Sequence, residues 1–306
     1  MEFKLNILIT GGTGFLGRHL LKRLSNDSKN TITIVNTSNC NLLVKENLLD
    51  LNDKSFDIIY HLAAWTKAGD FCLRYPGDQW IHNQLINTNI LWYWSKYHPK
   101  ATFVTMGTSC AYPNGYQDLV ESDYMLDEPT SDLYTYAMTK RMLFQGLRSL
   151  NMQFGLQYQY MIPSTLYGPE FEKNDNHFIF DLISKIYNGK YHNHPVILWG
   201  DGNQIRELIY VKDATDLICE FTSKNLNQII NLGTSEGYSI RHYAQTICEI
   251  IDYDANKIQY DTKAAYIGFG RRVLDITKLK AQLNDYKFTS LSEGLRSTIE
   301  YFQTKT

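Results

Sequence analysis

The sequence has too few cysteines, at the wrong spacing, for disulfide or structural-metal chemistry. Their number is odd and no two form a Cys-x-x-Cys pair: Cys40, Cys72, Cys110, Cys219 and Cys248. Scattered cysteines fit a reducing compartment and argue against a disulfide framework or a zinc site. His192 and His194 have no third ligand nearby in the sequence, so we interpret them as loop residues and predict no metal.

The sequence also lacks an excess of charge and a long apolar run. The formal net charge is −2, which does not favour a binder of nucleic acids or membrane surfaces. No apolar stretch approaches the ~20 residues that cross a bilayer, and no basic region followed by an apolar core indicates a secretory signal. We therefore expect a cytoplasmic protein with no membrane and no nucleic-acid partner. Its 306 residues suffice for one large domain or two closely joined ones.

The first motif that is present is a glycine-rich turn between a strand and a helix. Residues 5–10 form a short apolar run, which predicts a buried parallel strand. Gly11, Gly14 and Gly17 follow, and an amphipathic helix begins at this turn. Glycines here let backbone N–H groups approach a pyrophosphate, whose charge the helix dipole favours. The pattern therefore predicts a dinucleotide-binding loop.

The strand predicted over residues 31–35 ends where the choice of nicotinamide cofactor is normally made. An acid there accepts a hydrogen bond from the 2′-hydroxyl of NAD, whereas an arginine pairs with the 2′-phosphate of NADP. This chain has Asn36 at that point, followed by Thr37, Ser38 and Asn39. Because no arginine is near, we favour NAD and leave NADP open.

A tyrosine and a lysine four residues apart form the candidate catalytic pair. Tyr136 and Lys140 share one face of a predicted helix, so the ammonium group can favour the charged form of the phenol and lower its pKa. A phenol otherwise titrates near ~10, too high for a base at neutral pH. The strand predicted over residues 101–106 delivers Thr108 and Ser109 to the carboxyl edge of the sheet, where ligands bind in α/β proteins.

Taken in order, these features resemble the extended short-chain dehydrogenase/reductase family, the NAD-dependent epimerases and dehydratases that act on nucleotide sugars. The resemblance implies an α/β fold, a Rossmann-like doubly wound parallel sheet with a smaller C-terminal α/β substrate-binding domain. It places the dinucleotide-binding domain in residues 1–164, with 203–230 returning to it, and the substrate-binding domain in 165–202 and 231–306. It also implies a homodimer or higher homo-oligomer, built through two long helices per subunit.

The same resemblance assigns roles to individual residues. Tyr136 is the acid/base, and Lys140 tunes it and holds the ribose. Thr108 orients the substrate oxygen, with Ser109 as the second candidate. The implied cofactor-binding positions are Gly11, Gly14, Phe15, Leu16, Gly17, Asn36, Asp50, Leu51, Leu62, Ala63, Ala64, Asn83, Tyr136, Lys140 and Pro163.

Three structural expectations accompany these roles. Asp50 and Leu51 follow a short third strand, and residues 56–64 form the fourth strand. His61 lies inside that fourth strand and is interpreted as a packed residue, not a catalyst. Asn83 matches the asparagine that opens the following helix in relatives.

The second half of the chain contains candidates for substrate binding. An arginine fork matches phosphate oxygens, so Arg206 and Arg272 could clamp the diphosphate of a sugar nucleotide. Trp199 either stacks on a base or packs, and Thr165 stands where many relatives have asparagine. The implied substrate-binding positions are Thr108, Ser109, Thr165, His177, Trp199, Arg206 and Arg272.

Residues 109–113, 163–169 and 271–275 resemble the GDP-fucose synthases within that family. Those enzymes use a cysteine and a histidine to exchange protons at C3 and C5 of a 4-keto sugar, since a C4 ketone acidifies the neighbouring C–H bonds. Cys110 and His177 match the two positions. Each also has a plainer interpretation, Cys110 as a small packed residue and His177 as a helix cap.

The implied function is NAD(P)-dependent hydride transfer at C4 of a GDP-linked mannose-type hexose or heptose. The chain would be a 4-dehydrogenase or 4-ketoreductase in the synthesis of precursors for capsular or other polysaccharide. A C3/C5 epimerase/C4 reductase and a nucleotide-sugar C4 epimerase are alternatives. A 4,6-dehydratase is disfavoured, because Ser109 and Cys110 stand where such enzymes have Asp-Glu. A non-catalytic nicotinamide-binding scaffold is the alternative from another class.

Overall fold

The structure is a computed structural model that describes residues 4–67, 69–172, 177–224, 226–263, 270–283 and 285–305 of the 306-residue chain. Its strands are β1 (Asn6–Thr10), β2 (Thr31–Val35), β3 (Ile58–His61), β4 (Thr102–Met106), β5 (Tyr158–Pro163), β6 (Thr165–Tyr167), β7 (Ile197–Trp199), β8 (Ile205–Tyr210), β9 (Gln228–Leu232), β10 (Gly237–Ser239), β11 (Gln259–Asp261) and β12 (Arg271–Arg272). Its α-helices are α1 (Phe15–Ser25), α2 (Phe71–Arg74), α3 (Pro76–Tyr97), α4 (Tyr134–Phe154), α5 (Phe178–His192), α6 (Val211–Phe221), α7 (Ile240–Ile251), α8 (Thr277–Lys280) and α9 (Leu291–Lys305). Among the described residues, none of the helices combines the length and apolarity that a membrane span requires.

Six parallel strands form the main sheet, in the order β2-β1-β3-β4-β5-β9. Their sequences are nearly continuous apolar runs because a parallel sheet is covered on both faces, and Ile7, Leu8 and Ile9 of β1 are fully buried. The chain passes from β1 to β2 on one side and then crosses to β3 on the other. Ligands of open α/β sheets bind beyond the carboxyl ends of strands at such a reversal. The expected Rossmann-like sheet is confirmed.

A smaller sheet contains β10, β8 and β12, and β6 also pairs with β8. β7 and β11 form a separate pair. A second cluster of buried apolar side chains, which includes Ile183, Tyr243 and Ile299, surrounds these elements. Within residues 203–230, β8 belongs to the smaller sheet, whereas β9 joins the main sheet. The division of the chain into two domains remains our proposal.

The expected strand before Asp50 is wrong, since Lys45–Leu51 forms a 3₁₀ helix. Side chains three residues apart eclipse one another on such a helix. Leu48 and Leu51 have this spacing and are both buried, while Asp50 is exposed. The apolar residues thus follow a helical spacing, and residues 58–61 form the third strand in chain order.

The helix expected to open at Asn83 begins earlier, at Pro76, in α3. Proline suits the first helical turn because the N–H that it lacks would have no partner there. Asn83 is buried inside the helix, and its Oδ1 accepts from the Trp65 N–H (2.9 Å). Its Nδ2 donates to the carbonyl oxygens of Trp65 (3.0 Å) and Gln79 (2.8 Å). In the structure Asn83 therefore fixes the chain that follows β3.

Candidate active site

The turn after β1 makes backbone contacts that only glycine allows. Gly11 has a φ of 72°, and a Cβ there would lie 2.7 Å from the Ala63 nitrogen and 2.9 Å from the Leu62 carbonyl carbon. A Cβ on Gly17 would overlap the Gly11 carbonyl oxygen. The turn is therefore packed against itself and against the chain that leaves β3, which gives α1 a fixed starting point beside the carboxyl edge of the sheet.

The N-terminus of α1 suits a phosphate group. Gly14 is the N-cap and contributes no side chain, and the first turn contains no acidic residue. Helix geometry leaves the N–H groups of Phe15 and Leu16 without acceptors inside the helix. These donors and the helix dipole favour an anion at this point. The residues present thus fit the pyrophosphate of a nicotinamide dinucleotide.

The end of β2 offers neither an acid nor a base to distinguish the two nicotinamide dinucleotides. The Asn36 Oδ1 accepts from the N–H (2.9 Å) and the hydroxyl (2.6 Å) of Ser38, so its side chain folds into its own loop. Asp50 is exposed, and Leu51 packs into the main core. The preference for NAD stays a prediction.

The residues at the carboxyl ends of β3 and β5 complete the predicted cofactor-binding side of the site. Leu62, Ala63 and Ala64 follow β3 directly and are partly exposed. The Ala63 N–H donates to the Thr10 hydroxyl (3.3 Å). Pro163 ends β5, at the same carboxyl edge of the sheet. The small side chains leave backbone accessible at this edge.

His61 is a packed residue of β3, as expected. It is 1 % exposed, and its ring nitrogens lie 2.7 Å from the Thr10 hydroxyl and 3.1 Å from the Asn87 Oδ1. Burial lowers the pKa of His61 to about 4, because the charged ring would lose its water. The ring is therefore neutral at physiological pH and serves the packing of β1, β3 and α3.

Tyr136 and Thr108 meet where α4 passes the end of β4. The Thr108 hydroxyl hydrogen-bonds the Tyr136 phenol and accepts from the Cys110 N–H (3.2 Å). Burial raises the pKa of Tyr136 above its ordinary value, while the hydrogen bond from Thr108 lowers it by less. The expected lowering of this pKa by Lys140 is thus wrong in direction, because desolvation of the phenol is the largest effect.

Lys140 is buried and held from the sheet side. Its Nζ donates to the Met106 carbonyl oxygen (2.9 Å), two residues before Thr108. Burial lowers the pKa of Lys140 to about 8, so the ammonium form still dominates at neutral pH. One of its three donors is engaged by Met106, and the others can serve a ligand.

Cys110 contacts a cation contributed by the smaller sheet. The Arg272 Nη1 lies 2.9 Å from the Cys110 sulfur, and Cys110 is partly exposed. A partly exposed sulfur in an electropositive setting is typical of reactive cysteines. Ser109, the neighbouring candidate, is buried. The contact between Arg272 and Cys110 joins the predicted catalytic segment to the predicted substrate-binding segment.

Arg206 and Arg272 are direct neighbours across the smaller sheet. The parallel pairing of β12 with β8 sets them opposite each other, and β10 sets Tyr238 opposite Arg206 on the other side. Residues paired in this way project from the same face, where two like charges destabilise each other. An anion between two guanidinium groups removes that repulsion. This arginine row, Tyr238, Arg206 and Arg272, is therefore a candidate phosphate site.

Glu207 holds the arginine row in place, and our sequence reasoning missed it. The side chain is 2 % exposed, and its Oε2 accepts from the Leu274 N–H (2.7 Å). Its Oε1 accepts from the N–H groups of Thr234 (2.5 Å) and Ser235 (2.8 Å). These bonds tie the chain after β12 and the chain after β9 to β8. The available signal was a carboxylate in the middle of an apolar strand.

Three other predicted substrate residues lie on separate elements. Thr165 opens β6 and is half-buried. Trp199 ends β7 and is 60 % exposed, so it does not pack in the core. His177 is the exposed N-cap residue of α5 and makes no side-chain hydrogen bond into that helix. Its ring lies edge-on to Phe180, with 6.4 Å between centroids, and its joint role with Cys110 stays a prediction.

Sequence comparisons give full-length relatives. The profile of the NAD dependent epimerase/dehydratase family matches residues 7–233. GDP-L-fucose synthase of Escherichia coli (strain K12) is 29 % identical over 319 residues, covering 98 % of this chain and 97 % of the relative. GDP-L-colitose synthase of Yersinia pseudotuberculosis is 27 % identical over 309 residues, covering 97 % and 98 %.

Solved structures show the same fold over the whole chain. A GDP-L-fucose synthetase from Naegleria fowleri has a TM-score of 0.89 at 21 % identity, covering 99 % of this chain and 95 % of that one. A GDP-6-OMe-4-keto-L-xylo-heptose reductase from C. jejuni has a TM-score of 0.89 at 18 % identity, covering 100 % and 99 %. At these identities the likeness is one of fold.

Proposed function

We propose a specific reaction for this chain, which belongs to the NAD dependent epimerase/dehydratase family and is an enzyme that works with a nicotinamide dinucleotide. The reaction is reduction of the C4 ketone of a GDP-linked mannose-type sugar, a hexose or a heptose. The reverse reaction, a C4 dehydrogenation, would use the same groups in the opposite protonation state. The product would be a precursor for polysaccharide synthesis in the cytoplasm.

The placement of the Tyr136 phenol beside Thr108 is the observation that carries the proposal of hydride transfer at C4. A ketone that accepts a hydride needs a proton at its oxygen, and the donor must be protonated beforehand. Burial raises the pKa of Tyr136, so the phenol is protonated at neutral pH. A dehydrogenase would instead need the phenolate as a base. A protonated phenol is suited to reduction, and this supports the direction that we propose.

Three residues of the predicted catalytic set have a role in this reaction. The Thr108 hydroxyl holds the C4 oxygen, and Tyr136 gives it a proton. The Lys140 ammonium stabilises the phenolate that is left behind. The nicotinamide dinucleotide, when bound, supplies the hydride. The turn from Gly11 to Gly17 would hold its pyrophosphate, and Lys140 its ribose.

The arginine row supports a diphosphate-linked substrate. Arg206 and Arg272 are paired on adjacent strands, and guanidinium groups match phosphate oxygens closely. Trp199 is 60 % exposed, with the Lys185 Nζ 5.6 Å from its ring centroid, and a base could stack on this ring. Relatives named GDP-L-fucose synthase and GDP-L-colitose synthase favour guanine as that base.

Epimerisation at C3 and C5 is the second candidate activity, and the contact between Cys110 and Arg272 favours it. The Cys110 sulfur beside the Arg272 guanidinium could take a proton from a carbon next to the C4 ketone. His177 would return a proton from the opposite face of the sugar. If this step occurs, reduction at C4 follows it, because the ketone must be present to acidify the C–H bonds.

We also propose a homodimer, built through α3 and α4. These long helices pack together, and α3 exposes Trp80 (41 %), Ile81 (56 %) and Leu85 (43 %). On α4, Met142 is 43 % exposed. Apolar side chains clustered on a helix surface favour burial against a partner. Light scattering of the purified protein would give the oligomeric state.

The proposal is tested by the mass of the sugar nucleotide. Purified protein is mixed with a GDP-4-keto-6-deoxy-mannose and either NADH or NADPH, and separately with GDP-mannose and NAD. A UDP-linked 4-keto sugar is the matched control. A gain of two hydrogens on the GDP-linked ketone alone is expected. Loss of two hydrogens from GDP-mannose, or turnover of the UDP sugar alone, would contradict the proposal.

A further inference from the structure

Two buried tyrosines connect the backbone of Thr108 with the backbone of Lys140. The Thr108 N–H donates to the Tyr124 hydroxyl oxygen (3.4 Å). The hydroxyls of Tyr124 and Tyr160 are 3.0 Å apart, and the Tyr160 hydroxyl donates to the Lys140 carbonyl oxygen (2.8 Å). Both tyrosines are 0 % exposed. This tyrosine chain joins the end of β4 to α4, the two elements that bring Thr108 and Tyr136 together.

The two ends of the tyrosine chain fix its direction. An N–H can only donate and a carbonyl oxygen can only accept, so the Tyr124 hydroxyl must donate to the Tyr160 oxygen. Each phenol then donates once and accepts once, which satisfies hydroxyls that have no access to water. Successive hydrogen bonds of one direction strengthen each other in a low-dielectric interior.

Gly107 leaves the space that the tyrosine chain occupies. A Cβ at this position would lie 2.7 Å from Cε1 of Tyr160, and 2.9 Å from each of the Tyr124 and Tyr160 hydroxyl oxygens. One residue earlier, the Lys140 Nζ donates to the Met106 carbonyl oxygen (2.9 Å). The backbone from 106 to 108 is therefore fixed to α4 both through the tyrosine chain and through the lysine side chain.

We propose that Tyr124 and Tyr160 are positioning residues, whose hydrogen-bond chain sets the spacing of β4 and α4 and so aligns the Thr108 hydroxyl with Tyr136. Tyr136 lies one helical turn before Lys140 on α4, so movement of α4 away from Thr108 moves the phenol as well. The kinetic consequence of this proposal rests on the proposed function, whereas the structural consequence does not.

Tyr158 is a matched control for Tyr160. Both lie on β5, two residues apart, so they project from the same face of the strand. Both are buried and contact the ring of Phe144, with centroid distances of 6.3 and 4.8 Å. Among the described residues the Tyr158 hydroxyl makes no hydrogen bond. Tyr158→Phe therefore removes a hydroxyl from the same strand and leaves the tyrosine chain intact.

The first test is amide hydrogen exchange without any substrate. In Tyr124→Phe the Thr108 N–H loses its acceptor, so its exchange should accelerate by about tenfold or more. The amides of β4 should keep their protection in the same variant, which shows that the protein is folded. Tyr160→Phe should accelerate the same amide by less, and Tyr158→Phe should not change it. An unchanged Thr108 amide in Tyr124→Phe would overturn the proposal.

The second test is kinetic and uses the ketone substrate. Misplacement of a catalytic group by less than an ångström lowers turnover strongly, so Tyr124→Phe should reduce kcat by about tenfold or more with KM within about twofold. In a Thr108→Val background the same change should have almost no further effect, since no hydroxyl remains to be aligned. Equal losses in Tyr124→Phe and Tyr158→Phe, or full additivity with Thr108→Val, would overturn it. If the wild-type protein does not reduce the ketone, the proposed function fails, and the exchange result alone decides this proposal.

Discussion

The two regions that form the candidate site differ in how their polar groups are held. At the carboxyl edge of the main sheet, Thr108 and Lys140 are each 8 % exposed and hydrogen-bonded to the protein. On the smaller sheet and its neighbours, Arg206 and Arg272 are only partly buried, and Trp199 is 60 % exposed. The side chains of the first region are enclosed by the protein, whereas the second region has more exposed cationic and aromatic side chains.

This difference separates the groups proposed for the chemical step from the groups proposed for substrate recognition. Groups that are buried and fixed in advance can stabilise a transition state without reorganising. Groups that are partly exposed remain accessible to a ligand, so we expect them to contribute mainly to binding. We therefore expect changes in the first region to lower kcat or stability, and changes in the second to raise KM. The predictions for Tyr136, His61 and Arg206 test that division.

The largest effect is expected for Tyr136→Phe. Loss of the proton donor should lower kcat about a thousandfold, a typical contribution of acid–base catalysis. The dissociation constant of the nicotinamide dinucleotide should stay within about twofold, because the phenol ring remains. Steady-state kinetics and a binding titration would show this. Tyr134→Phe, at the exposed start of α4, is the control, and equal activity of the two variants would contradict the mechanism.

The second-largest effect is a loss of folding stability at acidic pH, which we attribute to His61. Its pKa is lowered to about 4 in the folded protein, from an ordinary 6.5, so between these values the unfolded chain binds more protons. Stability is therefore full above pH 6.5 and falls as the pH drops toward 4, by roughly 3 kcal/mol from this residue. Urea unfolding of the wild type and of His61→Gln at both pH values would measure it. The same pH dependence in both proteins would contradict this assignment.

A smaller effect on binding is expected in the arginine row. Arg206→Ala should raise KM for the sugar nucleotide by about thirtyfold, the value of a charged hydrogen bond to phosphate, with kcat nearly unchanged. Arg206→Lys should recover only part of the loss, because lysine cannot form a bidentate pair. Arg271→Ala, at the exposed neighbouring position, is the control. A fall in kcat with constant KM would place Arg206 in the chemistry instead.

The smallest effect on hydride transfer is expected for Cys110→Ser. Reduction at C4 should stay within about threefold of the wild type, because the sulfur does not contact the C4 oxygen in the proposed reaction. Exchange of the C3 and C5 hydrogens with heavy water, if the wild type performs it, should be lost. Mass spectrometry of the product measures both the reduction at C4 and the exchange at C3 and C5. Collapse of C4 reduction would give Cys110 a different role.

Local patterns predicted the structure around the glycine turn well. The glycine turn, the strand before it and the helix after it depend on neighbours within a few residues, and the close approach of Gly11 to Ala63 follows from that turn. The same holds for Tyr136 and Lys140, whose spacing places them on one helix face. Features that depend on the spacing of nearby residues can be predicted directly from a sequence.

The wrong predictions concern properties that depend on residues far away in the sequence. The spacing of Tyr136 and Lys140 suggested a lowered phenol pKa, but desolvation by the rest of the fold raises it. Asn83 was expected to open its helix, yet its carboxamide is used by Trp65, 18 residues earlier. Glu207 gave no sign of its partner Leu274, 67 residues away. Such contacts depend on topology, which spacing along the chain does not contain.

The most direct test of the reductase is the destination of the hydride. The wild-type protein is given a GDP-4-keto-6-deoxy-mannose and a nicotinamide dinucleotide that carries deuterium at both C4 positions of its ring, and the product is examined by NMR. Deuterium bound to C4 of the sugar, in every product molecule, is the expected result. A ketone that stays unreduced, or deuterium at any carbon other than C4, would contradict hydride transfer to C4.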